Sequence, residues 1–299
     1  MSDKQRITVI FGDCRDMHEL PDNSIQLVVT SPPYFNAPFD YPDLFRTYDD
    51  FLELLAEVSK EVYRVVATGR VACFVTDDML VRGEKYPVVA DVTKLMQQAG
   101  FRYRDKIVWV KPKGYTRISH RSGVLLQHPY PMYFYPDNIQ ESILIFQKGR
   151  FDYDFQKKIP VKREASRIDV GQFNREEWNL SVWRITNVLP KPGRIEEGIA
   201  AFPEELPNRI IRLFSFRGET VLDPFVGSGT TLKVSNGLGR YSIGYEIDRE
   251  LRPIIVSKLN GRKRRGDINF FERKDARNLR GVLKNRVKKQ RTVTRTGSG

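Results

Sequence analysis

Thr220-Val-Leu-Asp-Pro-Phe-Val-Gly-Ser-Gly-Thr-Thr231 is the stretch whose reading decides the fold. A short β-branched run ends at Asp223-Pro224, a Gly-Ser-Gly turn occupies 227–229, a helix is expected from Thr230, and Tyr241-Ser-Ile-Gly-Tyr245 reads as the next strand. Strand, glycine turn, helix, strand is the repeating unit of an open α/β sheet. Glycines at such a turn let a ligand approach the backbone and the helix N-terminus, which suits a nucleotide-like molecule. The alternative is a tight turn with no ligand. Thr230 and Thr231 stand where a dinucleotide site continues toward a third glycine, so the turn departs from that fingerprint. Glu246, at the end of the next strand, supplies a carboxylate able to accept hydrogen bonds from two ribose hydroxyls.

Working outward, strands are predicted over 7–11 and 25–29, with a helix-like segment 14–20 between them. A helix opens at Tyr48-Asp-Asp50, carries Phe51, Leu54, Leu55, Val58 and Val62 at helical spacing, and is expected to end at Gly69. Strands at 70–76, 107–110 and 141–147, with a helix over 88–99, continue the alternation. Another helix runs from Phe202-Pro-Glu-Glu-Leu-Pro207 to 214. The expectation is an α/β, doubly wound fold with a mixed, mostly parallel sheet. It divides into a catalytic half (1–149), an aperiodic insertion (150–190), a cofactor-binding half (191–260) and a basic C-terminal tail (261–299) that includes Arg262-Lys-Arg-Arg265.

Ser31-Pro32-Pro33-Tyr34 follows the apolar strand 25–29, at the end where open α/β sheets bind ligands. Neither proline can donate a backbone hydrogen bond. The carbonyls of Ser31 and Pro32 and the Ser31 hydroxyl are thus free to accept from an amino group, while Tyr34 offers a face to a planar base. Such a turn fits an exocyclic amine held for attack on a methyl donor, and needs no cysteine nucleophile. A rigid loop or a polyproline ligand is the competing reading.

Fifty Lys plus Arg against 37 Asp plus Glu give a formal charge of +13, which favours a polyanion such as nucleic acid. Lys111, Lys113, Arg117, His120, Arg121, His128 and tyrosines 130, 133 and 135 interleave basic groups with aromatics, followed by Lys157-Lys158 and Lys162-Arg163, a pattern that suits phosphates and bases, with a solvated loop-rich insertion as the alternative. Two cysteines, Cys14 and Cys73, are too few for a disulfide framework and fit a reducing cytoplasm. No metal is expected, since His18, His120 and His128 lack ligand spacing. Nor is a membrane span.

Taken together, Thr30-Ser-Pro-Pro-Tyr-Phe35 and Asp223-Pro-Phe-Val-Gly-Ser-Gly-Thr-Thr231 resemble the β-type DNA amino-methyltransferases, in which the catalytic motif precedes the cofactor motif. Ile107-Val-Trp-Val-Lys-Pro112, Ser181-Val-Trp-Arg184, Phe202-Pro-Glu-Glu-Leu-Pro207 and Tyr241-Ser-Ile-Gly-Tyr-Glu246 extend the resemblance, while Gly198-Ile-Ala-Ala201 departs from a His-Pro-Ala found in many members. The resemblance implies S-adenosyl-L-methionine as cofactor. Phe225, Gly227, Gly229 and Thr230, with Thr30, Asp223 and Pro224 from the same motifs, would shape its pocket. Glu246 would hold its ribose, Asp13 would lie near its adenine, and Phe202 and Leu206 would cover its methionine end. Ser31, Pro32, Pro33 and Tyr34 would hold a flipped target base.

The insertion would carry target recognition. Serine in the Ser-Pro-Pro-Tyr motif looks more like members acting on cytosine N4, with adenine N6 the alternative. The expected partners are duplex DNA, a second copy in a homodimer and a cognate restriction endonuclease. Competing readings are methylation of RNA or a protein amide, and a DNA-binding regulator with a vestigial site.

Overall fold

β-Branched runs separated by amphipathic helices build one nine-stranded sheet covered on both faces. The computed structural model describes residues 7–36, 44–112, 122–134, 136–186, 202–259 and 268–279. In chain order its elements are β1 (Ile7–Phe11), β2 (Ile25–Thr30), α1 (Tyr48–Val65), β3 (Val66–Thr76), a small hairpin of β4 (Met79–Val81) and β5 (Glu84–Tyr86), α2 (Val88–Gln98), β6 (Arg102–Val110), α3 (Ser122–Gln127) and β7 (Gln140–Gln147). There follow α4 (Pro160–Ala165), α5 (Val170–Arg175), β8 (Val182–Arg184), α6 (Glu205–Phe214), β9 (Thr220–Asp223), α7 (Thr230–Gly237), β10 (Tyr241–Glu246), α8 (Arg252–Leu259) and β11 (Ile268–Glu272). The strand order is β11-β1-β10-β9-β2-β3-β7-β6-β8. All neighbours pair in parallel except β7, which is antiparallel to both β3 and β6.

Period-2 alternation sends successive side chains to opposite layers. In β3, Ala72 and Phe74 face the layer of α1 and α2, whereas Val71, Cys73 and Val75 face that of α6. Helix α1 opens on a reciprocal cap between Thr47 and Asp50 and buries Phe51, Leu55, Val58 and Val62. Among the described residues no helix is long and apolar enough to cross a membrane.

Three expectations are corrected. Residues 14–20 form turns, because side chains from elsewhere satisfy their backbone: Arg64 donates to the Met17 and Leu20 carbonyls and Glu61 accepts from the Met17 N–H. Asx turns at Asp13 and Asp16 complete the alternative to a helix, and the Asp16 carboxylate lies beside the His18 ring. Helix α1 ends at Val65, and Gly69 lies within β3 at φ 82°, where Arg150 and Phe151 pass too close for a Cβ. The expected tail contains β11, which extends the sheet beyond β1.

The insertion also differs from expectation. Residues 151–165 pack where β3 and β9 begin, with Phe151, Phe155 and Phe216 ringing the Arg70 guanidinium, which pairs with Glu219 at 2.6 Å. Its later part returns through β8 to extend the sheet beside β6.

Both partners of that ion pair are buried. Removing one strands the other, so Arg70→Ala is expected to destabilise the fold by about 3 kcal/mol or more in urea unfolding. Arg70→Ala/Glu219→Ala should lose less than the two single losses combined. Additive losses would show that the pair is not coupled.

Candidate active site

Strands β2 and β9 are hydrogen-bonded neighbours, with Leu27 opposite Val221 and Val28 opposite Leu222. Chain progress runs away from this pair in both directions, and such a switch point opens a crevice at the carboxyl ends of the strands. The two motifs therefore meet although 193 positions separate Thr30 from Asp223, and the Thr30 hydroxyl donates to Asp223 Oδ1 at 2.6 Å.

Above this contact lies a cavity of about 390 Å³, within the range of small-ligand sites. Ser31, Pro32, Pro33 and Tyr34 line it, together with Asp13, Phe202, Asp223, Pro224, Phe225, Gly227, Thr230 and Glu246. Thr30, Leu206 and Gly229 do not line it. Thr30 is buried beneath the cavity floor, Leu206 turns from α6 into the core, and Gly229 caps α7 facing Ile255 and Leu259.

The carboxylate of Glu246 is fixed by two backbone donors, Gly227 N–H at 2.8 Å and Asp248 N–H at 2.9 Å. It thereby ties the glycine turn, where Gly227 takes φ 54°, to the end of β10. Burial raises the Asp13 carboxyl, but the Arg15 guanidinium and N–H and the charge of Arg277 outweigh it and bring the group below its ordinary value. Burial, with Asp13 and Glu246 nearby, pushes the Cys14 thiol well up, so this cavity-lining cysteine is not a thiolate nucleophile.

Tyr34 is half-buried and its hydroxyl is hydrogen-bonded to Ser31 and Glu141. Burial and the adjacent Glu141 charge raise its pKa well above the ordinary value, so it stays a neutral phenol. Behind it, Lys111 pairs with Glu141 and Asn138 donates to Asp77. Burial lifts the Asp77 carboxyl to about 6, partly offset by that donor.

Asp223 gives a test of this floor. Burial pushes its carboxyl up to about 7 from an ordinary 3.8, although the Thr30 hydroxyl, the Phe225 N–H and the Thr231 hydroxyl all favour its charged form. A pKa raised in the folded state contributes stability that is fully present below 3.8 and lost as pH rises through about 7. Asp223→Asn escapes that loss. Its ligand-free unfolding free energy relative to the parent should rise between pH 4 and pH 8, by a change on the order of 4 kcal/mol. A pH-independent difference would refute the assignment.

Residues 25–257 match the family described as DNA methylase. The chain belongs to that family. Type II methyltransferase M.MjaI of Methanocaldococcus jannaschii is 34% identical over 294 residues, covering 88% of this chain and 94% of the relative. The DNA adenine methyltransferase YhdJ of Escherichia coli is 28% identical over 266 residues, covering 85% and 82%. A solved structure described as a DNA modification methylase of Thermus thermophilus complexed with S-adenosyl-L-methionine is 27% identical. It superimposes with a TM-score of 0.67 over 88% of this chain and 99% of that one. The methylase fold expected from the two motifs is therefore present.

The methylase also shows residues that sequence reasoning missed. Arg277 and Leu279, from the supposed tail, line the cavity, as do Glu53 and Leu54 of α1. An apolar Ile268-Asn-Phe-Phe271 was the available signal for a strand there.

The basic residues expected to read DNA are dispersed. Lys162 lies beside Gln26, Thr68 and Gly218, where β2, β3 and β9 begin, and a strand of six residues such as β2 spans about 20 Å. Lys162 is thus at the opposite end of the strands from Tyr34. His128, Tyr130 and Tyr133 are exposed, whereas Lys113, Arg117, His120, Arg121, Tyr135 and 198–201 fall outside the described residues.

Proposed function

We propose that this DNA methyltransferase moves the methyl group of S-adenosyl-L-methionine to the exocyclic N4 amine of cytosine in duplex DNA, in a type II restriction-modification setting. The observation that carries this reading is the contact of the Ser31–Tyr34 turn with the glycine-turn cavity through Thr30 and Asp223. The cavity suits the cofactor: Glu246 presents a carboxylate already oriented by Gly227 and Asp248, Asp13 is held charged, and Phe202 and Phe225 provide apolar wall. When bound, the cofactor supplies an electrophilic methyl group on a sulfonium.

The chain's own work is positional. The Ser31 and Pro32 carbonyls accept hydrogen bonds from the target amine, which keeps its nitrogen lone pair available, and Tyr34 stacks on the flipped ring. With the amine held by these acceptors, its nitrogen would be aimed at the methyl group that the bound cofactor supplies, and the proton it sheds on methylation would pass from the Ser31–Pro32 acceptors to solvent water. Excluding bulk water and holding the reactants in line supply the rest of the acceleration.

Cytosine is favoured by Ser31 in the motif. Adenine N6 is the second reading, favoured by the likeness to the adenine methyltransferase of Escherichia coli. A homodimer, a companion endonuclease acting on the same sequence and a cytoplasmic setting belong to the same proposal. Incubating the protein and cofactor with varied duplex DNA, followed by nucleoside mass spectrometry and sequencing, should yield N4-methylcytosine in one short context. N6-methyladenine would overturn the base assignment, and DNA left unmethylated would overturn the enzymatic reading.

A further inference from the structure

Residues 273–279 follow β11 along the rim of the cavity and bind both loops that carry its acids. On one side, the Arg273 N–H donates to the Phe11 carbonyl at 2.8 Å, and its guanidinium donates to the Asp16 carbonyl at 2.7 Å and lies beside Glu19. Asp275 Oδ2 accepts from the Asp13 N–H at 3.1 Å. The fit is close, since a Cβ on Gly12 would stand 2.7 Å from Arg273 Cδ.

On the other side, the Arg277 N–H donates to the Ile247 carbonyl at 2.7 Å, and the Arg277 carbonyl accepts from the Arg249 N–H at 2.9 Å. The Leu279 N–H donates to Oδ1 of the buried Asp248 at 3.2 Å. One short segment thus fastens the Asp13 loop to the residues just after Glu246. It also places two side chains, those of Arg277 and Leu279, in the cavity wall.

We propose that residues 273–279 are a strap that forms part of the cofactor site, fixing the spacing of Asp13 and Glu246 while Arg277 and Leu279 close the nucleoside end. The inference rests on the reading of this cavity as the S-adenosyl-L-methionine site. A nucleoside brings no negative charge for Arg277 to meet, so the Arg277 side chain serves as wall, and its charge adds only a small increment to the pull that Arg15 exerts on the Asp13 carboxylate. Leu279 covers apolar surface. Pre-set acids spare the ligand the ordering of two loops, and that saving appears as affinity. Arg277 is exposed in the free protein, so replacing it removes wall from the site without opening the core.

The test is calorimetric binding of S-adenosylhomocysteine to the full chain and to Arg277→Met, Leu279→Ala and their combination, with ligand-free Tm measured in parallel. Each single change is expected to weaken binding about fivefold and the pair about twentyfold or more, with Tm close to the parent. Affinities within twofold of the parent overturn the strap. So does a loss of affinity that merely tracks a loss of Tm, because scaffolding alone accounts for both. If the parent chain itself fails to bind S-adenosylhomocysteine, the cofactor reading falls and the strap with it, an outcome separable from the first two.

Discussion

Tyr34→Ala is expected to lower kcat/KM for DNA methylation by about 100-fold, while Tyr34→Phe loses only a few-fold. Stacking a base on an aromatic ring is worth roughly 1–3 kcal/mol by alanine replacement, and each ~1.4 kcal/mol is a factor of ten in rate. The alanine variant loses that face and the alignment that depends on it. The phenylalanine variant keeps the face and loses the hydroxyl tether to Ser31 and Glu141. Because Glu141 is itself held by Lys111, the tether ends on a fixed point, so its loss should loosen the ring rather than remove it. Steady-state transfer of a labelled methyl group to DNA measures both, with S-adenosylhomocysteine binding as a check on the shared cavity. Equal losses in the two variants would mean that the hydroxyl, not the ring, does the work, and would remove stacking from the mechanism.

Local signals were legible where local chemistry decides structure. The Thr220–Leu222 run, the glycines at 227 and 229 and the prolines at 32 and 33 favour strand, turn and rigid loop by local chemistry, and they form β9, the turn before α7 and the loop after β2, although Gly229 turns away from the cavity. Other outcomes depend on distant partners. Residues 14–20 have helix-compatible composition, but Arg64, Glu61 and Arg273 supply the hydrogen bonds that a helix would have made internally. The bond from Thr30 to Asp223 depends on which strands become neighbours, which neither motif encodes alone.

Basic and aromatic composition was the least specific signal. Phe151 and Phe155, in a segment expected to contact DNA, instead stack on Arg70 at the far end of the sheet. Cation–π packing and base stacking draw on the same residue types, so only position separates them. The strap was hidden for a related reason: the short run Ile268-Asn-Phe-Phe271 of β11 stands between charged stretches, and charge there reads as a solvated tail.

Gly244→Ala should abolish measurable S-adenosylhomocysteine binding and lower stability by about 2–3 kcal/mol, although Gly244 does not line the cavity. A Cβ there would stand 2.2 Å from Val226 Cγ2 and 3.1 Å from the Asp223 carbonyl. The β10 backbone cannot back away, because it is paired with β1 on one side and β9 on the other. Val226 is buried and β-branched, so it has little rotamer freedom with which to yield. The displacement must therefore pass into the turn that Val226 opens. Gly227, the next residue, donates to Glu246, and moving it releases the carboxylate proposed to hold the ribose. Gly237→Ala is the matched control: nothing lies within 4 Å of its added Cβ, and alanine at this helical position should be neutral or slightly stabilising. Calorimetric titration and thermal unfolding of the two variants decide the point. If Gly244→Ala binds the ligand as tightly as Gly237→Ala does, the glycine is a packing accommodation only, and the turn owes its position to something other than the close approach of β10.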